Sequence, residues 1–190
     1  MLFASNNLNK VLEVENILNR KILSLKDLDF KINVLETGKT FKENAIIKAK
    51  EVYELTKIPT IAEDSGLEIP ILDGFPGVKT NRFLGSNKTD SDRNQKILEM
   101  MQDKNDRTCY FTSCFAYYDG KNLQTFTSSL KGTIAYEEHI NMGFGFDSIF
   151  LYNNEYLSNM SISNKNKISP RTTSLKKLQD FLQKNIDLID

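Results

Sequence analysis

The spacing of apolar and polar residues predicts that the chain opens with a strand, a turn and two helices. Met1–Ala4 is a short apolar segment, and Leu8–Arg20 follows a polar turn with apolar residues at helical spacing. Thr40 and Glu43 have the spacing of a capping box, and Pro59 ends the apolar helical stripe that follows them. The stripe consists of Ala45, Ile46, Ala49, Val52 and Tyr53.

The middle of the chain predicts an extended segment, a loop and a third helix. Pro59–Ile69 is extended around an acidic centre, and Asp73–Gly77 is rich in glycine and proline, which predicts a loop. The third helix has an inner face formed by Asn94, Ile97, Leu98 and Met101.

A β-hairpin is predicted in the second half of the chain. Arg107–Tyr118 is rich in β-branched and aromatic residues, Asp119 and Gly120 form a hairpin turn signal, and Leu123–Ala135 returns as the partner strand. We expect a further short strand at Ser148–Leu151.

The last predicted helix has Ser169 as its N-cap and Pro170 at its first position. Its apolar positions are Leu175, Leu178 and Leu182. Helices interleaved with strands indicate an α/β fold, and the hairpin excludes a purely parallel sheet, so we expect a mixed one. We see no repeat, low-complexity linker or clean boundary, and residues 1–190 are predicted to form a single domain.

Charge and composition narrow the classes of partner. The 25 basic and 25 acidic side chains cancel, so no overall field favours nucleic acid or an anionic membrane. No segment approaches about 18 consecutive apolar residues, and we expect a soluble, intracellular protein. Cys109 and Cys114 lie an odd number of residues apart on one predicted strand, which argues against a disulfide, and two thiols make no zinc site.

Two segments are candidates for binding an anion. The turn from Ser5 through Asn6 and Asn7 to Lys10 precedes a helix, where free backbone N–H groups and the helix dipole favour a phosphate. An ordinary polar turn is the alternative. Lys48 shares a helix face with Asn44, and the alternative for Lys48 is a solvated lysine whose stem lies along the core.

Two further segments are candidates for a metal ion and a flat ring. Glu63 and Asp64 are adjacent carboxylates at the mouth of a strand, where a hard divalent cation would offset their repulsion; a solvated turn is the alternative. Gly143–Asp147 combines glycines with aromatics, and a purine stacked on a phenyl ring gains roughly 1–3 kcal/mol. Core packing of the aromatics, with Lys165 and Arg171 as surface cations, is the alternative.

Taken together, these segments resemble the inosine/xanthosine triphosphate pyrophosphatase family from residue 4 to about residue 182. The most specific matches are Glu36 to Phe41, Glu43 to Lys48, Ile61 to Leu67, Gly74 to Val78 and Gly143 to Asp147. The resemblance implies an elongated, mixed central sheet with helices forming two lobes around a nucleotide cleft. It also implies magnesium, a cytoplasmic homodimer, and hydrolysis of non-standard purine triphosphates (ITP, dITP and XTP) to the monophosphate and pyrophosphate.

By resemblance, Asp64 is the proton acceptor and a magnesium ligand, with Glu36 and Glu63 as further carboxylates of the metal site. Ser65 is implied to contact the substrate. The residues implied to contact the triphosphate are Ser5, Asn6, Asn7, Lys10 and Lys48. Asn6 stands where the family usually has glycine.

The base pocket of the family matches Phe144, Gly145, Phe146 and Asp147, with Phe144 stacking on the purine and Asp147 fixing its edge. Lys165 and Arg171 match the basic residues that recognise the base, and Pro170 stands where the family typically has histidine. Phe146 stands where the family often has tyrosine or tryptophan.

These departures leave two alternatives open. One is a related pyrophosphatase with a relaxed or different base preference. The other is a nucleotide-binding module that has kept the fold without turning substrate over.

Overall fold

A computed structural model describes residues 1–80, 82–85 and 87–185, apart from the side chain of Asn9. Within these residues the structure has eight strands and five helices. The strands are β1 (Leu2–Phe3), β2 (Leu23–Ser24), β3 (Thr60–Ile69), β4 (Phe75–Pro76), β5 (Thr108–Tyr118), β6 (Leu123–Ile134), β7 (Phe150–Tyr152) and β8 (Glu155–Tyr156). The helices are α1 (Leu8–Leu18), α2 (Phe41–Thr56), α3 (Asp90–Met100), α4 (Ile162–Ile168) and α5 (Pro170–Lys184).

The strands form one mixed sheet, in the order β2-β1-β3-β5-β6-β7-β8, with β4 paired to β3. β1 runs parallel to β2 and to β3, whereas β6, β7 and β8 pair antiparallel in sequence. This confirms the predicted α/β class with a mixed sheet. No described helix is long and apolar enough to span a membrane.

The chain separates into two compact units. Unit 1 comprises Met1–Ser65, Ser113–Ser128 and the described residues from Pro170 onward, and unit 2 comprises the described residues of Gly66–Thr112 and Ser129–Ser169. The prediction of one domain over residues 1–190 therefore stays a prediction, and its last five residues lie outside those described.

Each unit has its own buried apolar cluster. In unit 1, side chains of β1, β3, β5, α1 and α5 meet in a core that includes Phe3, Val14, Ile61, Phe115 and Leu178. In unit 2, side chains of β3, β5, β6, β7 and α3 meet in a second core that includes Leu67, Ile97, Cys109, Ile134 and Phe150. The two cysteines are free and buried, as expected.

Local signals set the ends of three helices. The Thr40 hydroxyl accepts from the Glu43 N–H at 3.1 Å at the start of α2, but Glu43 bonds the Lys39 N–H, so only half of the predicted capping box forms. A complete box, with Thr89 and Asp92, begins α3. α5 begins at Pro170, as predicted.

The predicted loop at Asp73–Gly77 is partly wrong. Phe75 and Pro76 form β4, which pairs antiparallel with Ile69 and Glu68 of β3. Pairing between residues six or eight positions apart is not encoded in the local glycine and proline content, and proline is tolerated at such an edge. The strand expected at Ser148–Leu151 lies two residues later, at β7.

Candidate active site

Three consecutive residues of β3 lie at the centre of the first candidate group, in unit 1. Ile61 and Ala62 before them are fully buried, and Glu63 itself is 4% exposed. Asp64 and Ser65 are half-buried at the point where the strand leaves unit 1. The two adjacent carboxylates therefore lie in the middle of β3, whereas the sequence pattern predicted them at the mouth of a strand.

The Asp64 carboxylate is held by groups from α2. Asn44, which is fully buried, donates from Nδ2 to Asp64 Oδ2 at 3.0 Å, and Lys48 Nζ lies 3.6 Å from Asp64 Oδ1. Burial raises the pKa of Asp64, Lys48 and Asn44 act to lower it, and the charges of Glu36 and Glu63 raise it further. The net effect is a carboxylate with a raised pKa, which is the direction expected of a general base.

Lys48 is surrounded by oxygen atoms. Its Nζ lies 2.6 Å from Glu36 Oε1 and 2.8 Å from the main-chain oxygen of Glu63, in addition to its contact with Asp64. Glu36 and Asp64 therefore converge on one cation. Oxygen donors of this kind are the ligands that magnesium prefers, so these two carboxylates fit a hard divalent cation.

Glu63 has different surroundings. Its Oε2 accepts from Lys10 Nζ at 2.6 Å, and its Oε1 accepts from Arg171 Nε and Ser113 Oγ, both at 3.1 Å. Burial by itself would raise the pKa of Glu63, but the charges of Lys10 and Arg171 outweigh it and hold the pKa well below the usual range. Both oxygens are engaged by cations, so Glu63 fits a metal ion less well than Glu36 and Asp64 do.

Arg171 joins this group from the first turn of α5. Besides Glu63, its guanidinium contacts Glu13 Oε2 at 3.2 Å and Ser65 Oγ at 3.5 Å. The charge of Glu63 is the main cause that raises the pKa of Arg171. Arg171 is therefore permanently charged and held by two carboxylates.

The turn between β1 and α1 carries Ser5, Asn6 and Asn7 beside Lys10. The Asn7 N–H donates to Ser5 Oγ at 3.1 Å, and Asn7 Oδ1 accepts from the Lys10 N–H at 3.3 Å. The Asn7 side chain thus caps the first turn of α1. Asn6 and Asn7 are exposed, which leaves this turn accessible to a ligand.

The second candidate group lies in unit 2 and contains the Gly143–Asp147 segment. The Asp147 carboxylate, 4% exposed, accepts from the Phe144 N–H at 2.9 Å and from Lys165 Nζ. Lys165 Nζ also lies 4.9 Å from the centroid of the Phe144 ring, which is 68% exposed. An exposed aromatic face with a cation and a carboxylate beside it suits a flat polar ring.

Two other residues of the predicted base pocket, Phe146 and Pro170, make contacts that stabilise the fold. Phe146 is buried in the core of unit 2, and Pro170 begins α5, where its carbonyl accepts from Ser174 Oγ at 2.8 Å. Arg171 belongs to unit 1 and Lys165 to unit 2, so the two basic residues that the sequence grouped do not share a unit.

Comparison with known proteins places these residues in a family. The sequence model of the Ham1 family matches residues 1–181. The chain belongs to the Ham1 family. The match covers both candidate groups, from Ser5 to Arg171, and it confirms the resemblance that the sequence motifs indicated.

Individual relatives match over nearly their full length. The chain is 38% identical to a dITP/XTP pyrophosphatase of Borrelia duttonii, with 98% of each protein covered, and 40% identical to one of Leptospira interrogans, with 96% of each covered. A solved HAM1 protein from Coxiella burnetii superposes with a TM-score of 0.91 at 33% identity, over 96% of this chain and 98% of that one. The fold is therefore that of the Ham1 proteins.

The metal site stays a prediction. Within the described ranges, no group of three or more His, Cys, Asp or Glu side chains is arranged to hold a metal ion. Glu36 and Asp64 contribute two carboxylates around Lys48, and the third predicted ligand, Glu63, is paired with Lys10 and Arg171.

Two residues of unit 1 contact the carboxylates without having been singled out as site residues. Asn44 bonds Asp64, and its signals in the sequence are its place in the family match from Glu43 to Lys48 and its position four residues before Lys48 on the same helix face. Ser113 of β5 bonds Glu63, and nothing in its local sequence distinguishes it from other strand serines.

Proposed function

We propose that this chain hydrolyses non-standard purine nucleoside triphosphates, such as ITP, dITP and XTP, to the monophosphate and pyrophosphate. The observation that carries the proposal is Asp64, a largely buried carboxylate with a raised pKa, bonded by Asn44 and lying beside Lys48. The names of the relatives, dITP/XTP pyrophosphatases, support the same substrate class.

Asp64 is the proposed proton acceptor. It takes a proton from a water molecule that attacks the α-phosphorus, and pyrophosphate leaves in one piece. Burial is the main cause that raises the pKa of Asp64. Asn44 fixes the orientation of the carboxylate through its 3.0 Å hydrogen bond.

Lys48 and Lys10 are proposed to bind the phosphates. Each has one charged nitrogen close to a carboxylate, and each can exchange that contact for phosphate oxygens. The charge that develops on the pyrophosphate is then compensated by fixed cations, the largest kind of contribution that an enzyme makes to phosphoryl transfer. Ser5, Asn6 and Asn7 supply the neighbouring polar groups.

Magnesium is the proposed cofactor, with Glu36 and Asp64 holding it. When bound, it would supply Lewis-acid polarisation of the phosphoryl oxygens. Both carboxylate oxygens of Glu63 accept hydrogen bonds, from Lys10, Arg171 and Ser113. We therefore propose that Glu63 positions the two cationic side chains, Lys10 and Arg171.

The second group, in unit 2, is proposed to contact the purine. Phe144 offers its exposed ring for stacking, and Asp147 and Lys165 offer an acceptor and a donor for the edge of the base. A 6-oxo purine accepts a hydrogen bond from a backbone N–H of this segment or from Lys165, whereas adenine presents a donor at that position. Unpaired polar groups in such a site lower the rate by orders of magnitude.

A relaxed base preference is the second candidate. Pro170 has no side-chain donor or acceptor, and Phe146 is buried without a polar group, so two positions that carry polar side chains in the family are apolar here. We expect the loss of discrimination to be greatest for GTP, which shares the 6-oxo group with ITP and XTP.

The test is a panel of dITP, XTP, GTP and ATP with magnesium, in which pyrophosphate and orthophosphate are measured separately. The proposal predicts pyrophosphate from dITP and XTP at rates at least a hundredfold above that from ATP. Equal rates on all four would establish relaxed specificity, and no pyrophosphate from any of them would leave a nucleotide-binding module.

A cytoplasmic homodimer is part of the proposal, by family resemblance. Light scattering measures the assembly directly, and a mass near 21.8 kDa, that of one chain, would reject the dimer.

A further inference from the structure

The position of the Phe144 ring depends on the backbone of its segment. The ring is 68% exposed, so core packing does not place it. Gly143 and Gly145 on either side have φ values of +98° and +64°, a region that glycine enters freely. A segment with two such glycines needs external bonds to keep one conformation.

Helix α3 supplies those bonds at Gly145. Asp90 Oδ2 accepts from the Gly145 N–H at 2.7 Å, and Asn94 Nδ2 donates to the Gly145 carbonyl at 3.0 Å. Asp90 and Asn94 lie four positions apart on the same face of the helix. Both backbone polar groups of Gly145 are therefore held by one rigid element of unit 2.

Asn94 is itself fixed by a buried network. Its Nδ2 also lies 2.7 Å from Glu138 Oε1 and 2.8 Å from Ser148 Oγ. Ser91 and Gln95 donate to the other oxygen of Glu138 at 2.7 and 3.0 Å. Burial acts to raise the pKa of Glu138, but these hydrogen bonds outweigh it and keep the group charged.

The burial of Asn94 lowers the stability of the folded chain. The residue is 1% exposed, and its Oδ1 has no hydrogen-bond partner among the described residues. A buried, unpaired carbonyl oxygen is unfavourable, and an apolar residue would fill this face of α3 without that penalty. The contribution of Asn94 at this position therefore comes from the hydrogen bonds that its Nδ2 donates.

We propose that Asp90 and Asn94 are positioning residues for base selection: by holding Gly145 they fix Phe144 and Asp147 against the purine. This inference rests on the proposed function, in which the Gly143–Asp147 segment contacts the base. Among the described residues, the side chains of Asp90 and Asn94 bond groups of their own unit, so the clamp acts on recognition of the base and leaves the hydrolytic step to Asp64.

The test compares Asp90→Ala, Asp90→Asn and Asn94→Ala, with Lys96→Ala as the matched control on the same helix. Asp90→Asn keeps an acceptor oxygen for the Gly145 N–H, and Lys96 Nζ bonds Glu99 at 2.9 Å, outside the network around Glu138. The kinetic constants are measured for dITP and ATP, together with inhibition by inorganic tripolyphosphate, which has no base.

Asp90→Ala and Asn94→Ala are expected to raise KM for dITP about tenfold with kcat within about twofold of wild type, and to reduce the preference for dITP over ATP. Asp90→Asn restores KM, Lys96→Ala stays at wild-type values, and inhibition by tripolyphosphate is unchanged in all four variants. Asp90 is exposed at the start of α3, so its pair of variants tests the clamp even if Asn94→Ala lowers stability.

The inference is overturned if Asp90→Ala keeps the KM and selectivity of wild type, or if it weakens tripolyphosphate and dITP equally. These outcomes differ from failure of the proposed function, in which the wild-type chain itself releases no pyrophosphate from any nucleotide.

Discussion

Burial in the folded chain makes the charged form of the Asp64 carboxylate less favourable than it is in water. Burial raises its pKa, and Lys48 and Asn44 offset that effect only in part. The folded chain therefore binds a proton at Asp64 more readily than the unfolded chain does. Because stability falls with pH wherever the folded state binds more protons, Asp64 lowers the free energy of unfolding as pH rises from its ordinary pKa of 3.8 through the raised value.

Replacing Asp64 with Asn removes this cost. Asp64→Asn is expected to raise Tm at pH 7, because the desolvation of the charged carboxylate is removed. The gain should disappear below about pH 3, where the carboxyl is protonated in both states. Calorimetry at both pH values checks the prediction, and a variant that melts below wild type at pH 7 would show that the Lys48 and Asn44 contacts outweigh desolvation.

Gly38 keeps Asn44 in place beside Asp64. Its N–H donates to Asn44 Oδ1 at 2.8 Å, and a Cβ at this position would lie 2.6 Å from the same oxygen and 2.9 Å from the Asn44 N. Gly38→Ala is therefore expected to displace the amide from Asp64, to lower kcat by about tenfold or more, and to cost about 1–3 kcal/mol of stability. Urea unfolding and steady-state kinetics measure both effects, and an unchanged kcat would mean that the Asn44 contact with Asp64 is dispensable.

At the scale of the element, α2 begins with the Thr40 hydroxyl bonded to the Glu43 N–H. Thr40→Ala removes this cap and should cost about 1 kcal/mol in urea unfolding. Its kcat should stay within about twofold of wild type, because Thr40 does not contact Asn44 through its side chain. The variant serves as the control for Gly38→Ala, and a comparable loss of kcat in both would point to α2 as a whole.

Elements were predictable where an apolar pattern runs over many residues. β3, the hairpin strands β5 and β6, and α5 match their predicted segments closely. β5 and β6 are rich in β-branched and aromatic residues on either side of a turn signal, and α5 has helical spacing after Ser169 and Pro170. β4 forms through pairing with β3, and α4 is a seven-residue helix without a buried residue, so neither leaves a periodic signal. Short elements of this kind depend on tertiary contacts that local sequence does not encode.

For the molecule as a whole, the sequence predicted which charged residues belong to the candidate site but not which residues contact one another. The charges of Glu63, Asp64, Lys10 and Lys48 were identified from the sequence. The hydrogen bonds between these residues and the rest of the chain were not identified. Arg171 bonds Glu63 from 108 positions away, and Ser113 bonds it from a strand 50 positions away. Such contacts arise from sheet order and helix packing, which spacing along the chain cannot specify.

The role of Asp64 as proton acceptor is tested by the turnover of dITP by Asp64→Asn, with dITP binding measured on the same variant by calorimetry. We expect binding to stay within about threefold of wild type while pyrophosphate release falls by at least about a thousandfold, because the proton acceptor is lost. A Tm of the variant at or above that of wild type would exclude unfolding as the cause. A variant that binds dITP and releases pyrophosphate at a near-normal rate would contradict the account and remove Asp64 from the chemistry.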